Sequence, residues 1–284
     1  MSLQMLREKI FQTLLKISAI LCGGIVIFIA LFIALESIPF FRSTPIYRLI
    51  TDQSWHPTEQ LFNLAPMLWG SIYAVSLAIL IAVPIGILVA IYIQFYAQSL
   101  IQSLVLQIVQ ILSGVPSVVF GLWGLVVLSP LIAQISGPGT SLLAGGIMLS
   151  IIVLPLIVII TNAQIEQFEE DYIKSALALG MSRQSIIIRV ILPGISSGLY
   201  AGISLQIGRA LGETMVVLMV CGNVVQAPLN PFEPVRALTA NIALEMAYAL
   251  GDHRSALFVS GLLLLLLVSA ISMAQTKNRT IAYV

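Results

Sequence analysis

Six long apolar runs constrain this chain more than any other feature: residues 17–38, 66–93, 104–132, 141–162, 197–222 and 255–274, each approximate at its ends. The hydrocarbon core of a bilayer is about 30 Å thick and takes about 20 apolar residues of helix. No water is present there to satisfy open backbone groups, so each run must close its hydrogen bonds internally, as a helix does. Composition agrees. Hydrophobic residues make up 59% of the chain and charged residues 9%, with a mean hydropathy of +1.05, whereas soluble domains carry about 25% charged residues. The expectation is an all-α membrane protein with six transmembrane helices. The first run is about twice the length of a signal-peptide core and no small-residue cleavage site follows it, so it reads as a retained span.

Lys and Arg set the orientation. Arg7, Lys9 and Lys16 precede the first run, Lys174, Arg183 and Arg189 lie in the 163–196 loop, and Lys277 and Arg279 lie in the tail. The opposite loops hold Arg42, Arg48, Arg236 and Arg254. The positive-inside rule then puts both termini in the cytoplasm. The chain divides into an N-terminal segment, first helix and outer loop (1–65), a five-helix core (66–275) and a cytoplasmic tail (276–284). The core includes a cytoplasmic loop at about 163–195 and an outer loop at about 223–254. A net charge of +1 offers no basic face to nucleic acid. Cys22 and Cys221 both fall in apolar runs, which argues against a disulfide or metal site. His56 and His253 lie far apart in presumed loops, where a surface role is expected.

Pro84, Pro116 and Pro155 interrupt the spans. Each removes a backbone hydrogen bond. In SGVPSVVFGLWG (113–124) this produces either a kink that improves packing or a true break beside a polar pathway, with the positive end of a half-helix facing an anion.

The 163–196 loop opens with Glu166, Glu169, Glu170 and Asp171, which suit a helix N-terminus. Small and apolar residues follow, then Gly180, which permits a turn, and Ser182, which can cap a second short helix over 183–190 before Pro193. The product is a compact knob, either a docking surface for a partner or a loop packed on its own spans.

The fifth run carries two charges, Arg209 and Glu213, in GRALGETMVVLMV. A central ionisable residue costs about 2.5–3.5 kcal/mol on insertion scales and normally faces a bundle interior or wet cavity. At i, i+4 on a continuous helix the two share a face. They form a structural ion pair or a substrate contact. In the second case Arg209 holds a passing anion by its fork of donors. Glu213 neutralises Arg209 at rest and accepts the proton of an anion that carries a hydroxyl, which a fully deprotonated anion lacks. Gly208 and Gly212 form GxxxG, a close-approach signature for another helix. Thr214 and Ser117 are candidate pathway residues. Arg236 and Glu245 lie in RALTANIALEMAYAL, a helix expected at the outer mouth, either half-inserted or lying on the membrane surface.

Several segments carry a resemblance. Lys174-Ser175-Ala176, Gly180 and Val190-Ile191-Leu192-Pro193 match the spacing of the coupling loop of ABC importer permeases: Glu-Ala-Ala, three residues, Gly, nine residues, Ile-x-Leu-Pro. Only Ala176 keeps its identity among the first three. GVPSVVFGLWGL (114–125), GRALGETMVVLMVCGN (208–223), PVRALTANIALEMAYALGDHRSALF (234–258) and the stretch over 54–93 resemble phosphate ABC-transporter permeases of the PstC type. The sister PstA type typically has Thr-Ala-Pro after the Glu, where this chain has Thr214-Met215-Val216.

The resemblance implies the MetI-like permease fold in a bacterial inner membrane. It implies as partners a PstA-like permease, an ATPase dimer and a phosphate-binding protein, with inorganic phosphate as substrate. Ser175, Ala176, Ala178, Gly180, Met181 and Arg183 then form the coupling surface. The chain has no GxxxxGK[ST] loop, so ATP and Mg would be bound by the partner ATPase and this chain needs no cofactor of its own. The competing readings are a sulfate or molybdate permease, the sister phosphate permease, an ion-coupled secondary transporter, and a membrane enzyme. A secondary transporter usually shows repeat symmetry and several intramembrane carboxylates. An enzyme lacks a nucleophile–base pair here.

Overall fold

A computed structural model describes residues 3–282, with side chains for residues 7–274 other than Glu170. Helix α1 (Leu3–Ser43) takes in the whole first apolar run. It leads through α2 (Arg48–Thr51) into a small antiparallel hairpin, β1 (Trp55–His56) and β2 (Leu61–Phe62). The hairpin departs from the all-α expectation for a local reason. The Pro57–Glu59 turn ends on Gln60 at φ 57°, and Asp52 accepts from the Phe62 N–H while pairing with Arg48.

Helices α3 (Ala65–Phe95) and α7 (Leu142–Glu166) form the central pair. Small residues make that contact possible. Ala74, Ala78, Ala82, Gly86 and Ala90 recur every four residues along α3 and are all buried, a stripe that lets two backbones approach. A side chain at Gly86 would strike Ile157, and one at Gly146 would strike Leu77. Pro84 and Pro155 sit inside these two helices, which continue past them.

Pro116 behaves differently. Helix α4 (Ser99–Gly114) stops, Val115 and Pro116 are extended, and α5 (Ser117–Trp123) begins. A π turn (Gly124–Leu128) and α6 (Ser129–Ala133) complete the segment, which lies at 94° to α4. A residue before proline is pushed out of the helical region, and here two consecutive extended residues turn a kink into a break. The 163–196 loop forms α8 (Glu170–Ala178), α9 (Arg183–Ile186), a π turn (Ile187–Ile191) and α10 (Leu192–Gly194), and a 66° bend leads into α11 (Ser196–Gly212). Then come α12 (Met215–Val220), α13 (Leu238–Glu245) and α14 (Gly251–Ala282). Among the described residues, four helices are long and apolar enough to cross a membrane, and six spans result if each bent pair counts as one. The tail expected from residue 276 continues α14 through Ala282.

Helices α1 and α14 run antiparallel. Glu36 meets Arg254 at 3.7 Å, the Phe32 and Phe258 rings meet edge to face at 5.8 Å, and Ile33 faces Gly261. The N-terminal and C-terminal ends of the described chain therefore share one side. Long stretches of α1 remain bare, with Ile20 and Phe28 among the exposed apolar side chains, as suits a helix bathed in lipid.

Candidate substrate pathway and coupling surface

Helix α11 ends where the sequence pattern expects it to continue. Gly212 is its last residue and Glu213 is extended, at φ −68° and ψ 126°. Thr214 closes the turn by donating from Oγ1 to the Gly212 carbonyl at 3.2 Å. The Glu213 carbonyl, freed by the break, accepts from Thr239 Oγ1 of α13 at 3.0 Å. A break inside a membrane bundle needs such a partner.

This overturns the expectation of a shared helical face, and with it the neutralising pair. No ion pair joins Arg209 to Glu213 among the described residues. Arg209 is exposed and lines a cleft of about 570 Å³ walled by Leu156 and Ile160 of α7, Ser204 and Gln206 of α11, and Val268 and Ser272 of α14. Glu213 is half-buried beside a separate, much smaller void with Ser71, Leu149 and Thr239. It is therefore out of place for the discrimination expected of it. The GxxxG reading is half right. A side chain at Gly208 would press on Val268 of α14, but nothing lies near Gly212, whose role is to end the helix.

Thr214 and Ser117 each open a helix after a break, and both are half-buried. Helices α5 and α12 pack in the same sense, with Gly121 against Val216 and Met219 and Gly124 against Val220. That register brings Ser117 level with the Glu213–Thr214 break.

In the 223–254 loop, α13 is inserted in the protein and does not lie on its surface. Leu238, Ala240 and Asn241 are fully buried, and the Leu238 N–H donates to Ser71 Oγ of α3 at 2.9 Å. Arg236 and Glu245 meet at 2.8 Å. The guanidinium also donates to the Asn223 carbonyl and to Asn241 Oδ1. The other Glu245 oxygen accepts from Trp55 Nε1 and meets His253 Nε2, both at 2.8 Å. His253 is thus not the surface residue expected but part of a buried network. His56 is exposed, and both histidines border one cavity of about 750 Å³ together with Arg236, Glu245 and Tyr248.

The knob at 166–190 forms as its pattern predicts. Gly180 adopts φ +75°, and Ser182 Oγ accepts from the Ser185 N–H at 3.3 Å to cap α9. Its expected partner-facing residues divide in two. Ser175, Ala178 and Gly180 are exposed. Ala176 is buried with Ile186, Ile187 and Ile191, and Met181 packs against that cluster. Arg183 points back, donating to the Phe95 carbonyl at 2.6 Å and lying over the Tyr96 ring, so it anchors the knob to α3. Lys174, which opens the motif, lies 3.9 Å from Asp171.

Residues 82–278 match the model of the family described as "Binding-protein-dependent transport system inner membrane component". The chain belongs to that family. This permease is 31% identical over 244 residues to the phosphate transport system permease protein PstC of Mesorhizobium japonicum, covering 78% of this chain and 75% of that one. Its fold resembles a chain of the MetNI methionine ABC transporter in an inward-facing conformation, at 20% identity and a TM-score of 0.58, covering 78% of this chain and 96% of that one. A chain of a bacterial alginate ABC transporter, solved in complex with an alginate pentasaccharide-bound periplasmic protein, matches at 16% identity and a TM-score of 0.61 over 94% of each chain. The architecture is therefore the MetI-like permease fold, and the permease is a multi-pass inner-membrane transport subunit.

Three functional candidates in the permease escape a reading of its sequence. Trp55 and His253 reach Glu245 from distant parts of the chain, and no local pattern marks them. Gln206 did leave a signal: it is a carboxamide in the middle of an apolar run, three residues before the charge that drew attention. On the knob, Tyr172, Leu177 and Leu179 are exposed, Leu179 at 82%. These three apolar side chains lie bare beside the Gly180 turn.

Proposed function

We propose that this permease is the PstC-type subunit of an ATP-driven importer of inorganic phosphate and forms half of the translocation pathway. The observation that carries the reading is Arg209, an exposed guanidinium on a membrane helix, bordering a cleft that no carboxylate lines among the described residues. A permanent cation there has a use if an anion must pass it. Guanidinium matches phosphate oxygens with several donors in a fixed plane and stays charged at any physiological pH.

A PstA-like permease supplies the other half. A pair of ATPases binds ATP and Mg and docks on the knob at Tyr172, Ser175, Ala178, Leu179 and Gly180. Phosphate arrives from a binding protein at the outer mouth, over the Arg236–Glu245 network. The Lys and Arg distribution supports a cytoplasmic knob and cytoplasmic termini, and the antiparallel α1–α14 pairing accords with termini on one side.

The test is phosphate uptake by the complete transporter in proteoliposomes. Arg209→Ala should abolish uptake. Arg209→Lys, which keeps the charge but loses the fork, should lower it at least tenfold. Normal uptake in Arg209→Ala refutes the pathway, and normal uptake in Arg209→Lys alone reduces the role to that of a plain charge.

A further inference from the structure

Gln206 lies one turn before Arg209 on α11, at i, i+3, and borders the same cleft. It is 3% exposed, and its Oε1 atom is buried with no hydrogen-bond partner. Buried polar atoms are nearly always paired, and the exceptions call for a reason. The described residues around it offer none. Across the cleft stand Leu156 and Ile160, with Ile160 filling the space beside Gly202, and Val268 covers Gly208. Ser204 spends its hydroxyl proton on the Tyr200 carbonyl. An apolar residue of similar size would fill the position without an orphaned acceptor.

The charge balance of the cleft points to what completes the bond. Among the described residues Arg209 is its one charged lining residue, which favours an anion there. An anion that also carries a hydroxyl proton satisfies both side chains at once. Its unprotonated oxygens accept from the guanidinium, and its O–H donates to the Gln206 carbonyl oxygen, which is covered in this conformation and meets the anion when the carboxamide turns into the cleft.

We infer that Gln206 is a specificity-determining contact for a protonated tetrahedral oxoanion in the Arg209 cleft. The inference rests on the reading that phosphate passes Arg209, and it deepens that reading. It transfers to Gln206 the discrimination expected of Glu213, whose carboxyl group borders a different void. Phosphate at neutral pH keeps at least one proton and makes both contacts. Sulfate has none to give and would leave the amide oxygen facing another acceptor. A neutral acceptor rejects sulfate less harshly than a carboxylate would, but it does not repel the substrate it selects. Leaving a buried acceptor unpaired against the wrong ligand is an effective source of selectivity.

The experiment uses the complete transporter with Gln206→Leu and Arg209→Ala in parallel. Uptake is read at saturating binding protein. Thermal unfolding is read with inorganic phosphate or sulfate added in the absence of binding protein. Gln206→Leu should lower phosphate uptake about tenfold and leave the unfolding temperature unchanged or higher, because replacing an unpaired buried acceptor by an apolar group costs the fold nothing. Phosphate should protect the wild type more than sulfate does, and Gln206→Leu should erase the difference. Two results overturn the inference while leaving the pathway standing. One is normal uptake and retained phosphate preference in Gln206→Leu, with Arg209→Ala inactive. The other is a drop in unfolding temperature in Gln206→Leu, which marks Gln206 as a structural contact to the second permease. If Arg209→Ala transports normally, the pathway reading itself fails.

Discussion

Truncating Glu245 leaves a guanidinium and an indole N–H enclosed without their acceptor. Glu245 is 7% exposed and meets Arg236, Trp55 and His253, each at 2.8 Å. At that separation and an effective dielectric of about 20, the attraction to Arg236 is about 6 kcal/mol before desolvation is subtracted. Desolvation cancels most of it, so the pair adds little compared with a well-packed apolar pair. Removing one member is another matter, since breaking a buried pair costs about 3–5 kcal/mol. The Arg236 side chain keeps 20% of its exposure and two other acceptors, the Asn223 carbonyl and Asn241. That places Glu245→Leu near the low end, at about 3 kcal/mol. Glu245→Leu combined with Arg236→Met should recover at least half of the loss, a coupling that two independent sites would not show. Urea unfolding of the permease in mild detergent, followed by Trp fluorescence, measures both. A Glu245→Leu cost below about 1 kcal/mol, or a double variant whose cost equals the sum of the singles, would refute the claim that the network is a coupled unit.

Two further outcomes follow from close approach and backbone conformation. A Cβ at Gly145 would run into Cys221 Sγ, so Gly145→Ala should cost about 1–3 kcal/mol as an overpacked contact, and adding Cys221→Ala should restore stability because the Cys221 Cβ lies at 3.9 Å. Unfolding of the single and double variants decides it, and no rescue means that the clash is not the cause. At Gly180, φ is +75° with open space around the position. There Gly180→Gln should cost about 1–2 kcal/mol through conformation alone and lower uptake, while Gly180→Asn, which tolerates the left-handed region, should retain most activity. Equal behaviour of the two variants would show that the turn does not matter.

What the chain discloses in advance is what its neighbours in sequence decide. The Ser182 cap and the Gly180 turn both depend on residues within a few positions of one another. The end of α11 does not. Gly212 is compatible with a helix interior or a helix end. The extended conformation of Glu213 is supported by Thr239, which lies 26 residues further on and comes from the inserted α13. Ala176 fits a small-residue docking surface by pattern, but packing against Ile186, Ile187 and Ile191 turns it inward. Trp55 and Glu245 are 190 residues apart, and only the meeting of the hairpin with the outer loop makes them partners. Pro116 differs from Pro84 and Pro155 for a similar reason. The latter two sit in helices clasped along their length by one another, while the segment after Pro116 finds its packing partner in α12.

The breaks at both ends of α11 tie the knob to the cleft. Ile195 separates α11 from the knob at a 66° bend, and Glu213 separates it from α12. Between them lie 17 residues of helix, a rod of about 25 Å that carries both Gln206 and Arg209. At the outer end, Thr239 holds the Glu213 carbonyl, and α12 is wedged against α5 at Gly121 and Gly124. At the inner end, α11 meets a knob held to α3 through Arg183 and held to α3 and α7 through the apolar cluster of Ala176, Ile186, Ile187 and Ile191 with Ala90 and Ile165. If an ATPase docks on the knob as proposed, a push there would tilt the rod about its outer end, against the side chains of α7 and α14 that wall the cleft. The contacts made by Gln206 and Arg209 would then change with the position of the knob while the outer network stays in place. A continuous helix through Glu213 would transmit the same push to α12, so on this reading the break confines the motion to the helix that carries Gln206 and Arg209.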